Sequence, residues 1–188
     1  MKVLILIADG SEEIEVLTPV DYLRRAGLEV ILASVSGSRT VTCSHGVSIN
    51  ADTTLDSFLD GEKTLPDAIV VPGGMPGTVN IASCNAALKL IDEMLKNEKL
   101  VCAICAAPAL VLSKCGCLKD HKWTCYPGMQ NECADYAGGY VEDKPFVHDG
   151  MLITGRGPGA AEEFSMEIVK SLCGESLWAK IKNASVQR

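Results

Sequence analysis

The stretch Leu100-Val101-Cys102-Ala103-Ile104-Cys105-Ala106-Ala107-Pro108 decides the fold. Six apolar residues without polar alternation read as a strand buried on both faces, the pattern of a parallel sheet. Two small residues and then Pro108 open a helix, because proline is tolerated in a first helical turn. A cysteine therefore stands at a sharp strand-to-helix turn, the arrangement of a nucleophile elbow. N–H groups and the dipole at a helix amino end favour thiolate over thiol, so a lowered Cys105 pKa is expected. The competing reading is a buried core cysteine, since free cysteine packs as a small hydrophobe.

Outward from this stretch, Val3–Ala8, Val30–Val35, Ala68–Val71 and Met151–Thr154 repeat the strand pattern. Between them helices are expected over Glu12–Ala26, Ala86–Lys96, Ala107–Lys114, Pro158–Leu172 and Glu175–Ala184. Pro19 implies a kink in the first helix or a restart capped by Thr18. Residues 40–52 suggest a short hairpin about Gly46, and residues 138–148 a second ribbon. Alternating strands and helices predict an α/β fold, a doubly wound and mostly parallel sheet sandwiched by helices, with residues 1–188 as a single domain. Ligands of such folds bind at the carboxyl ends of the strands.

A chain of 188 residues buries roughly 70% of its unfolded surface and needs no disulfide or metal staple. With 47% hydrophobic residues, disorder is excluded. The net charge of -7 and the lack of a basic stripe argue against nucleic acid. Nine unevenly spaced cysteines do not form a secreted disulfide framework. The opening apolar run is too short to span a bilayer or to serve as a signal core, so a cytoplasmic protein with reduced thiols is expected, with no membrane association. Before residue 94 there are 6 basic and 13 acidic residues, against 11 and 11 after it. Part of that excess is the cluster Asp9, Glu12, Glu13 and Glu15.

Other strand ends also carry candidates. Ala8–Glu15 is either an acidic helix start or a source of one carboxylate aimed at a site. Gly73-Gly74 suits an oxyanion pocket or a plain tight turn. Arg156, set in Gly155-Arg156-Gly157-Pro158-Gly159, is a substrate clamp or a structural cation. Cys102-x-x-Cys105 lies inside an apolar run, with Cys102 pointing into the sheet, which disfavours a redox or metal knuckle. Cys115-Gly116-Cys117 with His121, Cys125 and Cys133 lacks zinc-ligand spacing, so no metal is expected. His45, His121 and His148 read as surface loop residues.

Five motifs in order, Gly10-Ser11-Glu12-Glu13-Ile14-Glu15, Arg24-Arg25-Ala26-Gly27, Leu65-Pro66-Asp67 before Val70-Val71-Pro72-Gly73-Gly74, Ala103-Ile104-Cys105-Ala106-Ala107-Pro108 and Gly155-Arg156-Gly157-Pro158-Gly159, resemble the DJ-one branch of the ThiJ/PfpI superfamily over nearly the whole chain. The resemblance implies a flavodoxin-like sandwich, a homodimer, Cys105 as nucleophile and Glu15 hydrogen-bonded to its sulfur. It implies that Gly73, Gly74 and Ala106 form the oxyanion pocket, with Tyr126, Asp21, Arg156 and Pro158 around it. A carboxyl buried beside sulfur should be protonated, stabilise the thiolate and later shuttle a proton. Animal members carry a histidine where Tyr126 stands, and a tyrosine hydroxyl is a poor base at neutral pH, so any base role passes to Glu15. His45 replaces an arginine of the family, which weakens any anion site there.

The activity so implied is cofactor-free conversion of methylglyoxal or glyoxal, or of early glycation adducts on proteins, to the hydroxy acid. An alternative is a redox sensor or oxidative-stress chaperone acting through sulfinate at Cys105. A cysteine peptidase ranks below both, because Ala106 occupies the position where that branch has a catalytic histidine.

Overall fold

The computed structural model describes residues 1–187. Its strands and helices are β1 (Lys2–Ile7), α1 (Glu13–Arg25), β2 (Glu29–Ser34), β3 (Thr40–Thr42), β4 (Ser48–Asn50), β5 (Thr53–Thr54), α2 (Leu55–Gly61), β6 (Ala68–Val71) and α3 (Gly77–Ala82). They continue with α4 (Asn85–Lys96), β7 (Leu100–Ile104), α5 (Ala107–Leu110), β8 (Phe146–Asp149), β9 (Leu152–Gly155), α6 (Ala161–Cys173) and α7 (Glu175–Ala184). One seven-stranded sheet runs in the order β5-β2-β1-β6-β7-β9-β8. Every pairing in it is parallel except β8 with β9.

The unbroken apolar runs are explained by β1. Successive strand residues face opposite sides of a sheet. Val3, Ile5 and Ile7 enter a core shared with α1, α6 and α7, and Leu4 and Leu6 enter a second core shared with α2, α3 and α4. Neither face is wet, so neither can carry polar residues. This is the doubly wound α/β sandwich expected from the sequence.

Several boundaries differ from expectation. α1 runs unbroken through Pro19, and its cap is Glu12, whose carboxylate accepts the Glu15 N–H at 2.8 Å. Proline forgoes one helical bond there, while burial of Val16, Pro19 and Leu23 holds the helix on the sheet. The helix expected over 107–114 is α5 followed by a 3-10 turn, Leu112–Cys115. Pro158–Ala160 is likewise a 3-10 turn that precedes α6.

The hairpin about Gly46 forms as β3 and β4, a separate two-stranded sheet. The ribbon expected at 138–148 is instead the hairpin β8–β9, closed at Gly150. Residues Met129–Gly139, just before it, are 3-10 helix. β5, α2 and α3 are additional elements without an apolar run long enough to announce them.

Phe164 of α6 is fully buried where that helix covers β9. Replacing Phe164 by alanine leaves a ring-sized cavity and should cost about 3–5 kcal/mol, read from denaturant unfolding midpoints.

Candidate active site

The carboxyl ends of β1, β6 and β7 converge on Cys105. This residue leaves β7 at φ 64°, a left-handed conformation that costs a non-glycine residue about 1–3 kcal/mol. Two backbone hydrogen bonds hold it there. The Cys105 N–H donates to the Gly155 carbonyl at 2.9 Å, and its own carbonyl accepts the Tyr126 N–H at 2.8 Å. The elbow is thus pinned from both sides, with its side chain 9% exposed.

Glu15, in the first turn of α1, is wholly buried. Its Oε2 accepts the Gly73 N–H at 2.8 Å. Its Oε1 has no hydrogen-bond partner, and the Cys105 thiol lies beside the same carboxyl. Gly73 is what lets the two meet. A Cβ on that residue would stand 2.6 Å from Cys105 Cβ and 2.7 Å from Glu15 Oε2.

Burial, reinforced by repulsion from Glu12, pushes the Glu15 carboxyl up to about 7 against the pull of the Gly73 amide. Burial and then the Glu15 charge push the Cys105 thiol up to about 12, although the Ala106 and Gly74 amides pull it down. The lowered cysteine pKa expected from the helix start is therefore reversed. A four-residue α5 supplies a weak field, and burial together with the adjoining Glu15 carboxylate outweighs it. Below about 7 both groups carry a proton, and above it the one proton left rests on sulfur.

The expected oxyanion set is also divided. The Gly74 and Ala106 amides pull the Cys105 thiol down, but the Gly73 N–H is consumed by Glu15. Gly74 turns at φ 91°, which aims that amide. Tyr126 is 49% exposed and lines a cavity of about 620 Å³ with Arg156, Pro158 and Asp143. Arg156 is paired there with Asp143 at 3.2 Å, so its charge is already matched. Asp21 is not drawn to the pair; its carboxylate binds Arg25 one helical turn on, at 2.6 Å.

The neighbouring acids have other tasks. Glu13 accepts from Ser44 Oγ at 3.1 Å and from the His45 N–H at 3.0 Å. Burial works to raise the Glu13 carboxyl, but hydrogen bonds from its own backbone, His45 and Ser44 hold it at about 2. Donor atoms of Glu12, Glu13 and His45 lie within 4.8 Å of one another, a closeness already explained by the helix cap and these bonds. His148 is on β8, not in a loop, and bonds Glu167 at 2.7 Å, while His121 faces Asp149 at 3.6 Å. No histidine among the described residues reaches Cys105 in these contacts.

A doubly wound sheet with a strained cysteine at its strand ends and a buried carboxyl against the sulfur defines a cysteine-elbow α/β protein. The chain belongs to the DJ-1/PfpI family, whose family model matches residues 1–171. It is 38% identical to Protein dj-1beta of Drosophila melanogaster over 92% of this chain and 89% of that one. A Caenorhabditis elegans relative named Glutathione-independent glyoxalase DJR-1.2 is 34% identical over 91% and 88%. The structure of oxidized Toxoplasma gondii DJ-1 superposes with a TM-score of 0.92 at 32% identity, covering 99% of this chain and 98% of that one. The chain spans under half the length of two Arabidopsis thaliana relatives, 42% and 43%.

Glu15 generates a pH prediction for stability. Between pH 4.5, the ordinary carboxyl value, and about 7 the folded state keeps a proton that the unfolded chain has released. Its contribution is therefore whole below pH 4.5 and declines by about 3 kcal/mol as pH rises through 7. Glu15→Gln should remove this decline, measured as unfolding free energy from pH 4.5 to 8. The same variant should shift the pH profile of Cys105 alkylation to lower pH, because the repelling charge is gone.

Proposed function

We propose that the protein is a cofactor-independent glyoxalase and protein deglycase working through Cys105 and Glu15. The observation that carries this reading is the buried thiol and carboxyl that meet across Gly73. The Cys105 sulfur attacks the aldehyde carbon of methylglyoxal while Glu15 carboxylate takes the thiol proton, leaving a hemithioacetal. Glu15 then returns that proton to a substrate oxygen and removes the hydrogen from the former aldehyde carbon. The resulting enediolate is reprotonated at the adjacent carbon, which gives a lactoyl thioester. Water cleaves the thioester to lactate and free thiol. A carboxyl that titrates near 7 serves as both acid and base at neutral pH. The Gly74 and Ala106 amides, which pull the Cys105 thiol down, would hold the oxyanion.

The glyoxalase name of the nematode relative supports a small aldehyde as substrate. Nine free cysteines and an acidic chain fit a reducing cytoplasm. No helix among the described residues is long and apolar enough to cross a membrane. The exposed side chains of Ile14 and Leu17 on α1 support a homodimer.

A second reading uses the same donors. Two amides and a protonated carboxyl around one sulfur would stabilise a sulfinate, making Cys105 an oxidative-stress sensor. The absence of histidine contacts to Cys105 among the described residues weighs against a peptidase.

The deciding measurement follows methylglyoxal consumption with lactate identified as product. Cys105→Ser should abolish turnover, and Glu15→Gln should lower kcat by about 100-fold or more and erase the limb near pH 7. Wild-type turnover in Cys105→Ser would overturn the glyoxalase reading. Preferential sulfinate at Cys105 with no lactate formed would favour the sensor.

A further inference from the structure

A pair of thiols lies just beyond the elbow, at Cys115 and Cys117. The 3-10 turn Leu112–Cys115 ends at Gly116, whose φ of 70° reverses the backbone. The Gly116 N–H donates to the Ser113 carbonyl at 3.2 Å, and the Cys117 N–H donates to the Leu112 carbonyl at 3.1 Å. This turn brings the two thiols near enough for each to perturb the other's ionisation. Cys115 Sγ also lies 3.4 Å from the Leu88 carbonyl of α4, and Cys117 Sγ lies 3.9 Å from the Cys115 carbonyl. Residues two apart across a turn come within the ~4.4–6.8 Å Cα span that a disulfide bridges. The space beside Gly116 is open, with no atom within 4 Å of where a Cβ would stand, so the turn has room to adjust.

The two sulfurs are unequal. Cys115 is partly exposed and Cys117 is fully buried. The neighbouring Cys117 holds the Cys115 thiol below its ordinary value despite burial, while Cys115 and burial raise Cys117. One thiol is thus accessible and more readily ionised, and the other waits behind it.

We propose that Cys115 and Cys117 form a redox-active dithiol that a hydroperoxide closes into a disulfide within the loop. The Cys115 thiol releases its proton to water, and its sulfur attacks the outer peroxide oxygen. The O–O bond breaks, a sulfenic acid forms, and the departing alkoxide takes up a proton to become an alcohol. The Cys117 sulfur then attacks the Cys115 sulfur. The S–O bond breaks, the S–S bond forms, and hydroxide leaves with the Cys117 proton as water. Two thiols lose two electrons, and one hydroperoxide becomes one alcohol and one water. Such a tight ring is strained, and strained disulfides are the readily reduced, reversible ones. Cys105 is faced by a carboxyl instead of a resolving thiol, so its oxidation follows a different course.

Peptide mapping tests this on the intact protein. After stoichiometric tert-butyl hydroperoxide and blocking with iodoacetamide, trypsin cuts after Lys114 and Lys119 and releases Cys115–Lys119 as one peptide. The expected product lacks two hydrogens, carries no alkyl label, and accepts two labels after dithiothreitol. In Cys117→Ser the sulfenic acid at Cys115 should persist and be trapped by dimedone. In Cys105→Ser the disulfide should form as in wild type, which separates this pair from the catalytic reading. A doubly alkylated peptide at a dose that has already oxidised Cys105, or a bond from Cys115 to any other cysteine, would overturn the proposal.

Discussion

A thiol and a carboxyl buried in contact cannot both be charged, and this constraint organises the strand ends. With Glu15 titrating near 7 and Cys105 near 12, the pair passes from two protons to one as pH rises through 7, and the proton that stays is on sulfur. Keeping them together takes three elements. α1 carries Glu15 in its first turn, β6 leads into Gly73, and β7 delivers Cys105. The parallel register that sets Val71 opposite Ala103 brings the ends of β6 and β7 level, so Gly73 and Cys105 emerge side by side. A side chain at position 73 would push the carboxyl and the sulfur apart.

The acidic cluster is a division of labour among three glutamates in four residues. Glu12 accepts a backbone N–H and fixes the start of α1. Glu13 is held ionised by Ser44 and His45 and ties the small β3–β4 hairpin to the helix. Glu15, the one turned fully inward, meets sulfur. Helical geometry separates their directions, while the sequence shows only a run of like charge.

The sheet was legible because strands buried on both faces must be apolar throughout, and β1, β2, β6 and β7 announce themselves in that way. β5 was not, since Thr53–Thr54 makes only two pairings and has no apolar run. The ribbon read over residues 138–148 overlaps β8 only at its end, because Met129–Gly139 is 3-10 helix and the hairpin closes at Gly150. At the site, the resemblance supplied the pairing of Cys105 with Glu15, and the elbow was visible in the residues themselves. The proton's resting place was not visible, because it depends on the balance of burial, charge and amide bonds at one sulfur. Nor was the fate of the Gly73 N–H, which is settled by which carboxylate oxygen arrives within 2.8 Å. Asp21 illustrates the opposite error: an acid near the right helix whose nearer cation, Arg25, claims it.

The two borders of the sheet have a consequence for life in a crowded solution. An unpaired strand offers its N–H and C=O groups to any passing chain. Here one border is the two-residue β5, and the other is the four-residue β8, running against the direction of the rest. Along β8 the His148 ring is held by Glu167 of α6, and Asp149 accepts the Lys122 N–H at 2.7 Å. Neither border offers a long flat template, so the very apolar strands between them are guarded against intermolecular strand addition.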